Sequence, residues 1–442
     1  MQKEIEGLKR IKIAVVGSGY VGLVSGVCFA QIGHRVICVD NNREKLKKLK
    51  KGLSPIYEPG LEAMLKKNIR GGNLSFSSSV SDAVQKSDVI FIAVNTPPRV
   101  DGSCDLQFVE QVSKEIAQSM KGYKVIVEKS TVPAQTGGKI KQTVKIYNRK
   151  NIPFDVVSNP EFLREGRALG DFLAPDRIVI GVESARAEEI MKNIYRPIKA
   201  PVIVTNIATS ELIKHASNSF LATKISFINA VANVAERVGA DIRDVAKAMG
   251  LDKRIGGRFL DAGIGFGGSC FPKDVLAFIH MAKTAGYDLN ILKEVFRINE
   301  GQRMVVLEKL KEIIWNIEGK RIAVWGLAFK PDTDDLRNAP AIDIVRALLS
   351  ANAEVCVYDP VAMSGFKKIF EGQKKLKFAN SSYGAVKKCE ALLLLTEWEE
   401  FKKADFKKIK SLMTVPAVID GRNLYEKEKL ERLGFIYRGI GR

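Results

Sequence analysis

The chain has 442 residues, 46% hydrophobic and 27% charged, which suits a folded protein of about three domains and excludes disorder as its main state. Its net charge of +20 comes from 70 Lys+Arg against 50 Asp+Glu, spread through mixed segments such as NNREKLKKLKK with no arginine–aromatic module beside them. That pattern predicts solvated helix faces and no nucleic-acid partner. Six scattered cysteines without CxxC spacing, and three histidines without HExxH, predict a reducing cytoplasm and no metal site.

The N-terminal MQKEIEGLKR has acids and no apolar core, so no secretory signal is expected there. IKIAVVG at 11–17 is a β-branched apolar run without polar alternation, the texture of a strand buried on both faces. VICVD at 36–40, VIFIAV at 89–94, VIVEKST at 125–131, DVVSNP at 155–160, RIVIG at 177–181 and VIVT at 202–205 repeat it, with helical stretches such as 20–32 and 42–51 between them. This alternation predicts a parallel, doubly wound sheet. From Ala208 the texture becomes that of a long, largely buried helix, suited to a spine and a dimer contact. At Arg321 strand texture returns in RIAVWGLAFKP, VCVYDP, ALLLLTEW and PAVIDG. No apolar stretch reaches the roughly 20 residues of a membrane span, so no membrane partner is expected. The fold class expected is α/β: two Rossmann-like doubly wound domains, 1–206 and 301–442, joined by a helical central domain, 207–300, with a long spine helix. KIAVVGSGY…VICVD in the first domain echoes RIAVWGLAF…VCVYD in the last, which suggests a cleft holding two nucleotide ligands.

Gly17-Ser18-Gly19-Tyr20-Val21-Gly22 is a GxGxxG run that follows a strand and opens a helix, and Asp40 ends the next strand. Strand, glycine turn, helix and acid together predict dinucleotide binding, with the pyrophosphate at the helix N-terminus and the acid on the ribose. Asp40 favours NAD, although Arg43 stands close enough to meet the extra phosphate of NADP. A second glycine cluster, 265–274, places Cys270 at the start of a helix beside Lys273 with Asp274 one turn on, a setting that favours a thiolate nucleophile. The other five cysteines read as small buried hydrophobes. Lys214 and Asn218, four apart, share a helix face suited to an oxyanion or simply to a snorkelling lysine and a surface amide. Glu161 and Glu165 have the same spacing; one of them reads as a base or a substrate contact, or both as solvated helix positions.

GSGYVGL (17–23), STVP (130–133), NPEFLREGRALGDFLAPDRIVIG (159–181), ELIKHASNSFLATKISFIN (211–229), GFGGSCFPKD (265–274) and FKPDTDDLRNAP (329–340) occur in order. Together they resemble the nucleotide-sugar 6-dehydrogenases, the UDP-glucose branch most closely. The resemblance implies NAD-dependent, four-electron oxidation of UDP-glucose to UDP-glucuronate through a thiohemiacetal and a thioester on Cys270. It implies that Lys214, Asn218 and Asp274 surround the reacting carbon with Thr131 nearby, and that Glu161 is the acid–base residue. It matches Asp40, Lys45, Thr96, Thr131, Lys273 and Arg337 to NAD, with Glu165 near the nicotinamide end. Phe162, Leu163, Phe259, Leu260, Gly267 and Lys330 match contacts to the UDP-sugar, and Arg254 is similar to an arginine lent across a homodimer.

The chain departs from the family pattern at His215, where tyrosine is frequent, and at Asn338, where an acid is common. GSC argues against the N-acetylmannosamine branch and KPDTDD mildly against the GDP-mannose branch. The competing expectations are a 6-dehydrogenase for another nucleotide sugar, a basic nucleic-acid-binding protein and a non-catalytic NAD-dependent scaffold.

Overall fold

The computed structural model describes residues 10–442; most of the N-terminal stretch read above for a secretory signal lies outside the described residues. The chain forms two compact units. One comprises the residues up to Ser217 together with Leu276–Gly286, and the other comprises Asn218–Val275 together with Tyr287–Arg442.

The first unit is built on an eight-stranded sheet ordered β3-β2-β1-β4-β5-β6-β7-β8. Its strands are β1 (Lys12–Val16), β2 (Arg35–Val39), β3 (Leu74–Ser77), β4 (Val89–Ile92), β5 (Lys124–Glu128), β6 (Phe154–Ser158), β7 (Ile178–Gly181) and β8 (Val202–Thr205). Along β1, Ile13 and Val15 face one buried cluster while Ala14 and Val16 face another, which explains why the strand is apolar at successive positions. The first cluster is filled by aromatic rings, with Phe29 4.7 Å from Phe91 and 5.1 Å from Phe172. The sheet departs from an all-parallel arrangement at one junction. β6 and β7 meet antiparallel at Ser158 and Gly181, while β7 and β8 run parallel to each other. The residues between β6 and β7 hold a single short helix, Ala168–Leu173, in place of a full crossover helix.

The second unit carries a six-stranded, wholly parallel sheet ordered β11-β10-β9-β12-β13-β14. Its strands are β9 (Arg321–Trp325), β10 (Glu354–Tyr358), β11 (Leu376–Phe378), β12 (Ala391–Leu394), β13 (Ala417–Asp420) and β14 (Ile436–Gly439). Ile322 and Val324 face one cluster, Ala323 and Trp325 the other. In each sheet the first strand lies between the second and fourth, creating the switch point at which doubly wound sheets bind ligands beyond their carboxyl ends. The long helix Ile207–Val238 has 32 residues and passes from the first unit into the second. Among the described residues no helix is long and apolar enough to cross a membrane, and no group of three or more His, Cys, Asp or Glu is placed to hold a metal ion.

Candidate active site

The dinucleotide turn follows β1. Gly17 has φ +97°, and a Cβ there would lie 2.4 Å from the carbonyl oxygen of Ala93, so the turn requires glycine. Gly19 has its nearest neighbour for a Cβ, Asn95 Oδ1, at 3.9 Å. No side chain caps the helix Tyr20–Gln31 that begins there, and Gly19, Tyr20 and Val21 are partly exposed while Gly22 is buried. Open backbone N–H groups at a helix start fit a pyrophosphate. Asp40 accepts from the Ser18 N–H at 3.1 Å and from Lys45 Nζ at 2.6 Å. Burial opposes ionisation of Asp40, but Lys45 and the N–H groups of Asn42 and Ser18 outweigh it and hold the carboxyl below its usual range. Lys45, then, is the cation that reaches Asp40. Thr96 Oγ1 donates to the Thr131 carbonyl at 3.0 Å, tying the loop after β4 to the STVP loop. These residues fit NAD.

Glu161 follows β6 and faces the long helix. Its Oε1 lies 3.0 Å from Lys214 Nζ, with only 5% and 4% of the two side chains exposed. Its Oε2 accepts from the Leu163 N–H at 2.5 Å. The Phe162 ring lies 5.3 Å from Lys214 Nζ and 3.7 Å from the Arg177 guanidinium. Glu165 is half-buried, and the next residue, Gly166, donates to Glu58 at 2.7 Å and to the Tyr20 hydroxyl at 2.9 Å. Tyr20 also donates to Glu58, so the glycine turn and the Glu165 loop share one buried carboxylate. His215, the family departure, bonds the Val132 carbonyl at 2.9 Å and thereby fastens the STVP loop to the long helix. Glu211, one turn earlier, accepts the N–H groups of Gln135 at 2.6 Å and Gly137 at 2.7 Å.

In the second unit, Cys270 is half-buried at the start of the helix Phe271–Thr284, with Ser269 Oγ 3.6 Å from its sulfur. The Asp274 N–H donates to the Cys270 carbonyl at 2.8 Å. Asp274 is 1% exposed; its Oδ2 accepts from Asn218 Nδ2 at 2.6 Å and its Oδ1 lies 2.9 Å from Lys273 Nζ. Of the other cysteines, Cys28, Cys38, Cys356 and Cys389 are buried, while Cys104 is half-buried and donates to the Thr96 carbonyl at 3.6 Å.

The glycine loop packs on the loop after β9. Gly268 has φ +83°, and a Cβ there would lie 2.8 Å from the Phe329 ring. Gly268 N–H donates to the Arg337 carbonyl at 2.9 Å, and Asn338 Nδ2 donates to the Gly268 carbonyl at 3.2 Å. Gly267 lies in the same packed stretch, Lys330 Nζ lies 5.5 Å from the Phe329 ring, and Arg337 is exposed and paired with Asp335 at 2.7 Å. Phe259 has φ +65°, a strained conformation for a bulky residue, with its ring 6.3 Å from Phe271 and Leu260 buried beside it. Arg254 is exposed and paired with Asp252 at 2.6 Å.

Sequence reasoning missed Lys129, Glu58, Glu211 and Arg422. Arg422 donates to the carbonyls of Leu395 at 2.9 Å, Gly265 at 3.1 Å and Phe329 at 3.3 Å, clamping the glycine loop. Its only sequence signal is the DGR that closes β13. The internal echo also has a limit. Asp359, the counterpart of Asp40, accepts from the N–H groups of Leu327, Ala328, Val361 and Ala362 and from Trp398 Nε1. Its lone pairs are committed within the unit, so it serves the fold and leaves none for a ribose.

Models of the UDP-glucose/GDP-mannose dehydrogenase family match in chain order: the NAD binding domain over residues 11–199, the central domain over 208–301 and the UDP binding domain over 323–427. The chain belongs to the UDP-glucose/GDP-mannose dehydrogenase family. It is 48% identical over 431 residues to the UDP-glucose 6-dehydrogenase TuaD of Bacillus subtilis, covering 98% of this chain and 93% of that one. It is 46% identical to the UDP-glucose 6-dehydrogenase of Rhizobium meliloti, covering 98% and 100%. A solved UDP-glucose dehydrogenase from Pyrobaculum islandicum superposes with a TM-score of 0.92 at 40% identity, covering 98% of each chain. As a member of this family the chain is an NAD-dependent dehydrogenase.

Proposed function

We propose that the chain is a UDP-glucose 6-dehydrogenase that oxidises the terminal CH₂OH of the sugar to a carboxylate, forming UDP-glucuronate. Relatives bearing that name match nearly its whole length. The observation that carries the chemistry is the placement of Cys270 before the first turn of the helix Phe271–Thr284, with Asp274 held by Asn218 at 2.6 Å. A thiol at a helix start is favoured as thiolate.

Gly17, Gly19, Tyr20, Val21, Gly22, Asp40, Lys45, Thr96, Thr131, Glu165, Lys273 and Arg337 are assigned to NAD, which when bound supplies the hydride acceptor for each oxidation. Phe162, Leu163, Phe259, Leu260, Gly267 and Lys330 are assigned to the UDP-sugar. The hydroxyl proton of the substrate leaves to a base as the first oxidation yields an aldehyde. The Cys270 thiolate then bonds to the aldehyde carbon, and the carbonyl π pair moves onto oxygen. Lys214 and Asn218 stabilise that negative oxygen. The second oxidation leaves a thioester. Water ordered by Asp274 and Thr131, with Glu161 taking its proton, adds to the carbon; the C–S bond breaks and the carboxylate departs. The 3.0 Å bond between Glu161 and Lys214 supports a proton-handling pair.

We assign residues 1–206 to the cofactor, 207–300 to dimerisation and 301–442 to the UDP-sugar, and propose a reducing cytoplasm as its compartment, in keeping with six scattered cysteines of which none has CxxC spacing. Phe220, Phe227 and Val234 on the long helix are 65%, 51% and 55% exposed. Their seven-residue spacing makes one apolar stripe, which supports a homodimer to which Arg254 is lent.

The test is Cys270→Ser with UDP-glucose and NAD, assayed for UDP-glucuronate. Loss of acid is expected, and acid production at the wild-type rate refutes the covalent role. A panel including GDP-mannose and UDP-N-acetylhexosamines, read by NADH release, separates the proposed substrate from its nearest rivals.

A further inference from the structure

Lys129 is a second lysine beside the Glu161–Lys214 pair, and none of the steps above uses it. It follows β5 and is 4% exposed. Its Nζ donates to two oxygens of Asn159, the carbonyl at 3.2 Å and Oδ1 at 3.1 Å. Asn159 is held on every other polar atom. Its N–H donates to the Glu128 carbonyl at 2.9 Å, its Nδ2 donates to the Val179 carbonyl at 2.8 Å, and its Oδ1 also accepts from the Tyr195 hydroxyl at 2.5 Å. The residue is therefore fastened to β5, to β7 and to the helix Ala185–Tyr195. Pro160, with its fixed φ, separates it from Glu161. Few backbone torsions remain to move the Glu161 carboxylate.

We propose that Lys129 is a positioning residue for the acid–base step: its buried ammonium, seated on Asn159, fixes the turn that presents Glu161 to Lys214. Electrostatics agree with the geometry. Burial draws the Lys129 ammonium down to about 8, Glu161 pulls it back up, and Lys214 pushes it down. Lys129 thus senses both members of the pair while hydrogen-bonding to neither. A buried ammonium is costly unless its donors are used, and a leucine or methionine at this position would satisfy the core without that cost. The role rests on the reading of Glu161 as the acid–base residue.

The test combines Lys129→Met, Lys129→Arg, Glu161→Gln and the Lys129→Met/Glu161→Gln double variant, with melting temperatures to confirm folding. Lys129→Met is expected to lower kcat about tenfold or more while KM for UDP-glucose stays within about twofold. Lys129→Arg, which keeps charge and donors, should recover part of the loss. The double variant should be no slower than Glu161→Gln alone, because the two residues act in series. A crystal structure of Lys129→Met should show the Glu161 carboxylate beyond hydrogen-bond reach of Lys214. Wild-type kcat in Lys129→Met, losses that multiply in the double variant, or an undisturbed Glu161–Lys214 bond in the crystal each overturn the proposal. If the wild-type enzyme leaves UDP-glucose unoxidised, the substrate assignment fails instead, and the crystal structure still decides the positioning role.

Discussion

The side-chain amide of Asn218 donates to the carboxylate of Asp274 across 2.6 Å, joining the long helix to the first turn after Cys270. Asn218→Ala leaves a nearly fully buried carboxylate oxygen without this donor. Loss of one such bond is expected to cost about 1–3 kcal/mol of stability and to lower kcat through misplacement of Asp274. Thermal melting and steady-state kinetics on the same preparation check both effects. A variant with unchanged melting and unchanged kcat contradicts the role given to the pair.

Glu161 and Lys214 are 5% and 4% exposed and 3.0 Å apart. Lys214→Met strands a buried carboxylate and should destabilise the fold by about 3–5 kcal/mol. Lys214→Met and Glu161→Gln should each cost about 10² or more in kcat. Chemical denaturation together with turnover assays measures these effects.

Glu211 supplies a pH signature. Burial pushes its carboxyl up to about 7, against the N–H groups of Gly137 and Gln135, which lower it. In the unfolded chain an ordinary glutamate titrates near ~4.3. The folded state therefore holds the proton more tightly, and the stability this group contributes is fully present below the unfolded pKa and is lost as pH rises toward 7. Melting temperatures followed from pH 5 to about 8 should show that slope in the wild type and a flatter one in Glu211→Gln. Equal slopes contradict the assignment.

Much of this was legible in the sequence because β1 and β9 are buried on both faces and so read as unbroken apolar runs, and because Gly17 and Asp40 carry their meaning locally. Other features depend on distant contacts. Lys129 meets Asn159 across 30 positions and Arg422 meets Gly265 across 157, with no periodicity to announce either. The positive φ of Phe259 has no compositional signal, since glycine or asparagine is the usual marker of that conformation. The antiparallel meeting of β6 and β7 was likewise hidden, because strand texture alone does not reveal direction.

The exposed stripe of Phe220, Phe227 and Val234 predicts that Phe227→Glu weakens self-association. Light scattering should show a shift toward monomer. In the proposed homodimer Arg254 is lent to a neighbour, so on that reading activity should fall in parallel; a monomer with full activity contradicts it.

The most direct measurement is the amount of NADH formed per UDP-glucose consumed by the wild-type enzyme. A ratio of about two is expected, since the proposed thiohemiacetal on Cys270 holds the aldehyde for a second oxidation before release. A ratio of about one, with free aldehyde accumulating, contradicts the four-electron scheme.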